Sequence, residues 1–149
     1  MNTKQQLYLA CQNFLNKRFG VIQNTISDIQ NSLQSETKSS AGDKHETGRA
    51  MLQLEREKAG HQLSEIQKLN ETLHKINAEN KHQIVALGSV VYSTQSNYFI
   101  AISAGEITIK DSKFYAISPI TPIAKLLLSK YVGDTIQFRE STFIITKIE

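Results

Sequence analysis

A single cysteine, Cys11, stands in this chain, so no disulfide can close within it and no cluster of thiolates can hold a metal. Tryptophan is absent and proline occurs twice, at Pro119 and Pro122, which leaves the first 118 residues free of helix-breaking rings. No apolar run approaches the roughly 20 residues needed to cross a bilayer. The opening residues Met1–Tyr8 lack the apolar core of a signal peptide, so a cytoplasmic protein with no membrane partner is expected. Charge of one sign is also lacking. Up to residue 83 there are 11 Lys/Arg and 9 Asp/Glu; after it there are 6 and 5, which sums to the net +3. Neither half carries a basic arm for gripping duplex DNA, and DNA is expected only as an indirect partner. The expected partner is a protein surface, or a short stretch of nucleic acid already held by one.

What is present changes character near residue 83. Only Tyr8, Phe14 and Phe19 are aromatic before that point, and the other eight aromatics follow it. In the first part Leu15, Phe19, Ile22, Ile26, Ile29 and Leu33 step by 4, 3, 4, 3 and 4, the spacing of a coiled-coil seam, with Tyr8 one heptad earlier. A second seam runs through Leu52, Ala59, Ile66 and Leu73, flanked by Leu63, Leu69 and Ile76. Each predicts a helix of roughly 30 residues, about 45 Å long. The polar stretch 34–48 between them carries no seam residue, so an antiparallel hairpin within a monomer is expected, with its tip near 36–48. A long parallel dimer would have to carry its seam through that break.

Beyond residue 83 the period shortens to that of strands: 84–92, 98–102, 106–109, 113–117, 135–138 and 142–148, separated by polar or glycine-containing breaks. One helix interrupts them, with Thr121 as its cap, Pro122 in its first turn and residues 123–128 as its body. The expected fold class is α+β: residues 1–82 as a coiled-coil hairpin and 83–149 as a small, mostly antiparallel β domain, able to fold alone on its own apolar core.

Several segments, in order, resemble the GreA/GreB family of transcription elongation factors. Gly42-Asp43-Lys44-His45-Glu46, between the two seams, is similar to that family's Gly-Asp-x-x-Glu tip motif. Gly88-Ser89-Val90-Val91 resembles its opening strand. Ser118-Pro119-Ile120-Thr121-Pro122-Ile123-Ala124 with the following helix resembles its Ser-Pro-Ile-Ala segment, and Gly133-Asp134-Thr135-Ile136 its turn into the closing hairpin. The resemblance spans essentially the whole chain. It implies an FKBP-like C-terminal domain docked at the rim of the RNA polymerase secondary channel, and a hairpin reaching in toward the active-site Mg²⁺ and the nascent RNA 3′ end. The implied activity is stimulation of the polymerase's own cleavage of backtracked RNA, so the chain would be an accessory factor and no enzyme by itself. Asp43 and Glu46 become the catalytic metal ligands; Arg49, Arg56 and Lys58 a basic set near the RNA; Glu106, Ser118 and Pro119 docking residues. Two departures stand out. Only Glu106 remains of an acidic run before the Ser-Pro segment, and Thr47-Gly48-Arg49-Ala50 replaces the Asn-Ala-Glu-Tyr that follows the tip motif.

The chemistry of the residues is compatible with that role. Mg²⁺ takes oxygen ligands, usually only one or two carboxylates from one protein element, and a second ion at a phosphoryl-transfer site activates water or steadies departing charge. Carboxylates three apart at a helix start share a side, yet two alone hold the ion poorly, so no cofactor is expected on the free protein. Each residue also has a plainer reading. Asp43 and Glu46 have the spacing of a capping box. Arg49, Arg56 and Lys58 alternate with Glu55 and Glu57, as a solvated helix face does. His45, His61, His74 and His82 read as surface residues, Cys11 as a buried thiol on the seam, and the strand aromatics as core. A non-catalytic channel regulator of the anti-Gre or DksA type, a coiled-coil adaptor, and a peptidyl-prolyl isomerase remain as other functional readings, the last on fold alone.

Overall fold

The computed structural model describes the backbone of residues 1–38 and 43–149, and the side chains of 1–35 and 46–149. Its elements run α1 (Thr3–Lys38), α2 (Asp43–His74), β1 (Val90–Ser93), β2 (Asn97–Ile100), β3 (Gly105–Ile109), β4 (Ser112–Ile117), α3 (Pro122–Leu127), β5 (Thr135–Phe138) and β6 (Ser141–Ile148). This is an α+β protein: two long helices, then a six-stranded, mostly antiparallel sheet with one short helix. The chain forms two compact units, one of residues 15–69 and one of residues 1–14 together with 70–149.

The helices extend further toward each other than their apolar seams do. α1 continues to Lys38 and α2 begins at Asp43, both inside the polar stretch 34–48. Seam residues mark what is buried, whereas Gln, Ser, Glu and Lys hold helical geometry without burying anything. At its other end α1 starts on a reciprocal cap: Asn2 Oδ1 accepts from Gln5 N at 2.8 Å, and Gln5 Oε1 accepts from Asn2 N at 3.0 Å.

In the unit of residues 15–69, Leu15, Ile29, Ala59 and Ile66 are buried, and Phe19, Ile22, Ile26, Leu33, Leu52, Leu63 and Leu69 are half-buried. Every one belongs to a seam read from the sequence. Off the seam, Val21, Met51 and Leu54 stay exposed. Ile26 and Leu63 line one shallow groove, which brings the two seams together side by side.

The other unit is built on a sheet of order β3-β4-β2-β1-β6-β5. All neighbouring pairs are antiparallel except β2 with β4, which run parallel from Asn97↔Phe114 to Ile100↔Ile117. The chain leaves β2, forms the edge strand β3, and turns back so that β4 slots between them. The turn is Lys110-Asp111, both at positive φ (49° and 67°), as the tight two-residue hairpin between Ile109 and Ser112 demands. Glycine takes this backbone without the Cβ penalty, so Asp111→Gly is expected to stabilise the protein by about 0.5–1 kcal/mol in urea melts.

One face of the sheet holds a core of Val91, Ile100, Ile136, Phe143 and Ile145 closed over by Ala124 and Leu127 of α3. Thr121 caps α3, its Oγ1 accepting from Ala124 N at 3.4 Å, and Pro122 stands in the first turn, where its missing N–H costs nothing. Val90, Phe99, Phe114 and Ala116 alternate onto the opposite face and are buried as well. Residues 1–14 and 70–89 of the same unit meet that side. Thr3 hydrogen-bonds Tyr92, the ring of Tyr92 meets that of Phe114 edge-on, and Ile76 packs against Gly88. Leu7, Cys11, Leu73 and Ile76, from outside residues 83–149, are buried in this same unit, and Ile76 packs directly on Gly88.

Gly88 fixes this packing. Its φ is +90°, and a Cβ there would sit 2.9 Å from Ile76 Cγ2. Gly88→Ala combines left-handed strain with a forced shift of a buried neighbour, and should cost about 2–4 kcal/mol. Chemical denaturation would measure it, and an additional Ile76→Val should return part of the loss.

Candidate functional site

Because α2 opens at Asp43, Asp43 and Glu46 both fall in its first turn. At 100° per residue, positions three apart lie 60° from each other around the axis. The Glu46 side chain is exposed; that of Asp43 lies outside the described residues, as do Gly42 and the side chains of Lys44 and His45. The first turn of a helix also carries free backbone N–H groups and the positive end of its dipole, which favours carboxylates there.

The basic residues beyond this turn do not form one set. Arg49 and Arg56 are seven apart and share a face with Glu46, whereas Lys58 points to the opposite side of α2 from Arg56. Arg49 and Lys58 are exposed. Arg56 is half-buried: it borders the groove shared with Gln23, Ile26 and Leu63, and its Nη1 lies 3.3 Å from where a Cβ on Gly60 would stand. Gly60 thus leaves the room in which the guanidinium rests, a relation that charge spacing does not reveal.

The three residues assigned to docking all lie in the β-rich unit, Glu106 on β3 and Ser118 and Pro119 just past β4. Gly105 pairs with Ala116 and Glu106 with Tyr115 across the β3/β4 ladder, and Ser118 N donates to Ser103 Oγ at 3.2 Å. Glu106 is exposed and bridges to Lys113 at 3.4 Å, a pair too solvated to contribute much stability. The Ser118 carbonyl accepts from both Thr121 N (3.1 Å) and Thr121 Oγ1 (2.8 Å), which rolls Ser118–Thr121 into a turn. Pro119 is half-buried in it, and Ile120 stands out with 78% of its surface exposed. That exposed isoleucine was not singled out by sequence; only its place between two prolines hints at it.

The histidines divide. His61 and His74 are exposed, but His82 is half-buried, with Nδ1 2.6 Å from the Oγ of the fully buried Ser89. Ser89 Oγ also accepts from Ala86 N at 2.8 Å, so this hydroxyl ties His82 to the turn at residues 86–89. This corrects the reading of His82 as a surface residue: the partner is seven residues on, across a turn, where helical or strand spacing gives no cue. Burial, and secondarily the charge of Lys4, push the His82 pKa below its ordinary 6.5. Protonation then favours the unfolded chain, so this contribution is complete above about pH 6.5 and declines as pH falls toward the lower folded value. Thermal melts across pH 5–8 are expected to show that decline, and His82→Gln should flatten it.

Cys11 is fully buried, and desolvation raises its thiol pKa to about 12, which removes it as a nucleophile at neutral pH. Among the described residues no three His, Cys, Asp or Glu side chains gather as a metal site, and no helix is long and apolar enough to cross a membrane. Neither the models of known protein families nor the curated proteins match this chain.

Proposed function

We propose that this protein is an RNA polymerase accessory factor that enters the secondary channel with its helical hairpin and stimulates cleavage of backtracked nascent RNA. The observation that carries the reading is the position of the Gly-Asp-x-x-Glu motif. α2 begins at its aspartate, which sets Asp43 and Glu46 in the first turn after the hairpin's reversal. Two carboxylates on one turn can offer oxygen ligands to a Mg²⁺ whose remaining ligands belong to the polymerase. The β-rich unit would supply the docking body, through the exposed Glu106 on β3 and the turn of Ser118, Pro119 and the exposed Ile120 after β4.

In this reading the chain's own residues hold and orient. Asp43 and Glu46 would hold the Mg²⁺ together with the polymerase's own ligands, and the ion, when bound, would supply polarisation of water. Arg49 and Arg56, on the face shared with Glu46, lie along the displaced RNA 3′ segment. The hydrolytic step remains the polymerase's. The deciding experiment adds purified protein to a stalled, backtracked polymerase complex and follows the RNA length. Shortened RNA that regains extension supports the proposal. Binding without shortening identifies a non-catalytic channel regulator, and absence of binding removes the polymerase assignment.

A further inference from the structure

We propose that the unit of residues 1–14 and 70–149 holds a binding pocket for a small phosphate-type oxyanion, built around Lys4. The pocket has a volume of about 240 Å³ and is lined by Lys4, Lys81, Lys110, Glu79, Asn80 and Glu149, together with the first residues of α1.

Lys4 is the unusual member. A lysine is almost never fully buried unless its charge is satisfied, yet only 3% of this one is exposed. Among the described residues its ammonium has one hydrogen-bond partner, the carbonyl oxygen of Asn80 at 2.6 Å. That leaves two of three N–H donors of a buried cation without a protein acceptor, in a group that lines a cavity. The nearest candidate counter-ion is engaged elsewhere: Glu149 Oε1 is 2.7 Å from Lys147 Nζ, and the Glu149 carboxylate also bonds Tyr92. It influences Lys4 through space without forming an ion pair with it.

Cations outnumber acids three to two in the lining, Lys4, Lys81 and Lys110 against Glu79 and Glu149. Lys81 and Lys110 stand at the rim, both exposed, against the single further acid Glu79. The N-terminus of the 36-residue α1 opens here too, and with Asn2 capping Gln5 the amides of Thr3 and Lys4 remain as donors. A compact oxyanion with several acceptor oxygens satisfies this donor set: an ammonium at the floor, helix amides beside it, and two mobile ammonium groups closing over it. An apolar or cationic ligand would leave the Lys4 donors as they are. The site does not depend on any role of the hairpin's tip.

Titrating sodium phosphate into the full-length protein, with ionic strength held constant by chloride, is expected to give saturable NMR amide shifts at residues 2–4, 78–81 and 110. Lys81→Gln and Lys110→Gln, both at exposed positions, should each weaken binding roughly two- to fivefold, as loss of one solvated charge pair does. Lys4→Met keeps the buried stem and should abolish saturation. Should Lys4→Met fail to fold, the rim double variant decides. Shifts that rise linearly without saturating, or saturable shifts that the double variant leaves unchanged, would overturn the proposal.

Discussion

Asp43→Ala and Glu46→Ala are each expected to lower stimulated RNA cleavage by about 100-fold or more, since outer-shell support for a metal alone is worth ~10–100-fold and a direct ligand more. Polymerase binding should stay within a small factor of the parent, because docking is assigned to the other unit. A cleavage assay on backtracked complexes, run beside a competition-binding measurement, separates the two quantities. Capping makes a different prediction for the same variants. Removing an N-terminal cap or its dipole partner costs about 0.5–2 kcal/mol of helix stability and would not touch chemistry. If both variants cleave like the parent while melting earlier, the carboxylates are caps and the metal role is wrong. Adding Asp43→Asn sharpens the contrast, since asparagine caps a helix as well as aspartate but binds Mg²⁺ poorly.

The largest stability effect is expected at Ile66. It is fully buried in the hairpin, so Ile66→Ala should cost about 2–5 kcal/mol through lost transfer free energy and the cavity left behind. Ile66→Asp should cost more, because a carboxylate would be desolvated there with no partner. Ile22 sits on the facing seam but is only half-buried, so Ile22→Ala should cost distinctly less. Equilibrium urea melts at two protein concentrations test both the ranking and the topology. A seam satisfied within one chain gives midpoints independent of concentration. Midpoints that rise with concentration would indicate pairing between chains, and the hairpin would lose its basis as a channel-entering element.

The seam was legible because burial and period coincide in it: Leu15, Ile29, Ala59 and Ile66 are buried where a 4-3 step puts them. The short helix α3 was legible for a local reason, a Thr-Pro start that caps and pre-sets its first turn. Strands β3 to β6 lay within a residue or so of their readings because polar turns bound them. Three features were not legible. The segment 84–92 is strand only from Val90, since Ile84 forms a single bridge to Tyr131 and the turn at Gly88 intervenes. The parallel β2/β4 pair joins segments separated by a third strand, and alternation specifies a face but not a neighbour. The burial of Lys4 was hidden as well, because its acceptor Asn80 lies 76 residues away and a lysine near a helix start ordinarily reads as solvated.

The candidate site divides along similar lines. Its motif and its place at the start of α2 follow from local sequence. The separation of Lys58 from Arg49 and Arg56, and Arg56's rest over Gly60 four residues on, follow from helix geometry, but Arg56's place beside Gln23 and Ile26 depends on the facing helix.

One compact unit is made of two stretches of chain with 55 residues between them (15 to 69). During synthesis, Leu7 and Cys11 leave the ribosome before strand β6, whose backbone closes the sheet against β1. At ~5–20 residues per second the first turns of α1 wait on the order of 10 s before the rest of their unit exists. The hairpin between can zip while that wait lasts, since its contacts are local and helical. Residues 1–14 are thus expected to be secured later than the hairpin made after them. Pulse-labelling hydrogen exchange during refolding should show amides near Ile66 protected before those near Leu7, and the reverse order would mean that the N-terminal turns are held by something other than the completed sheet.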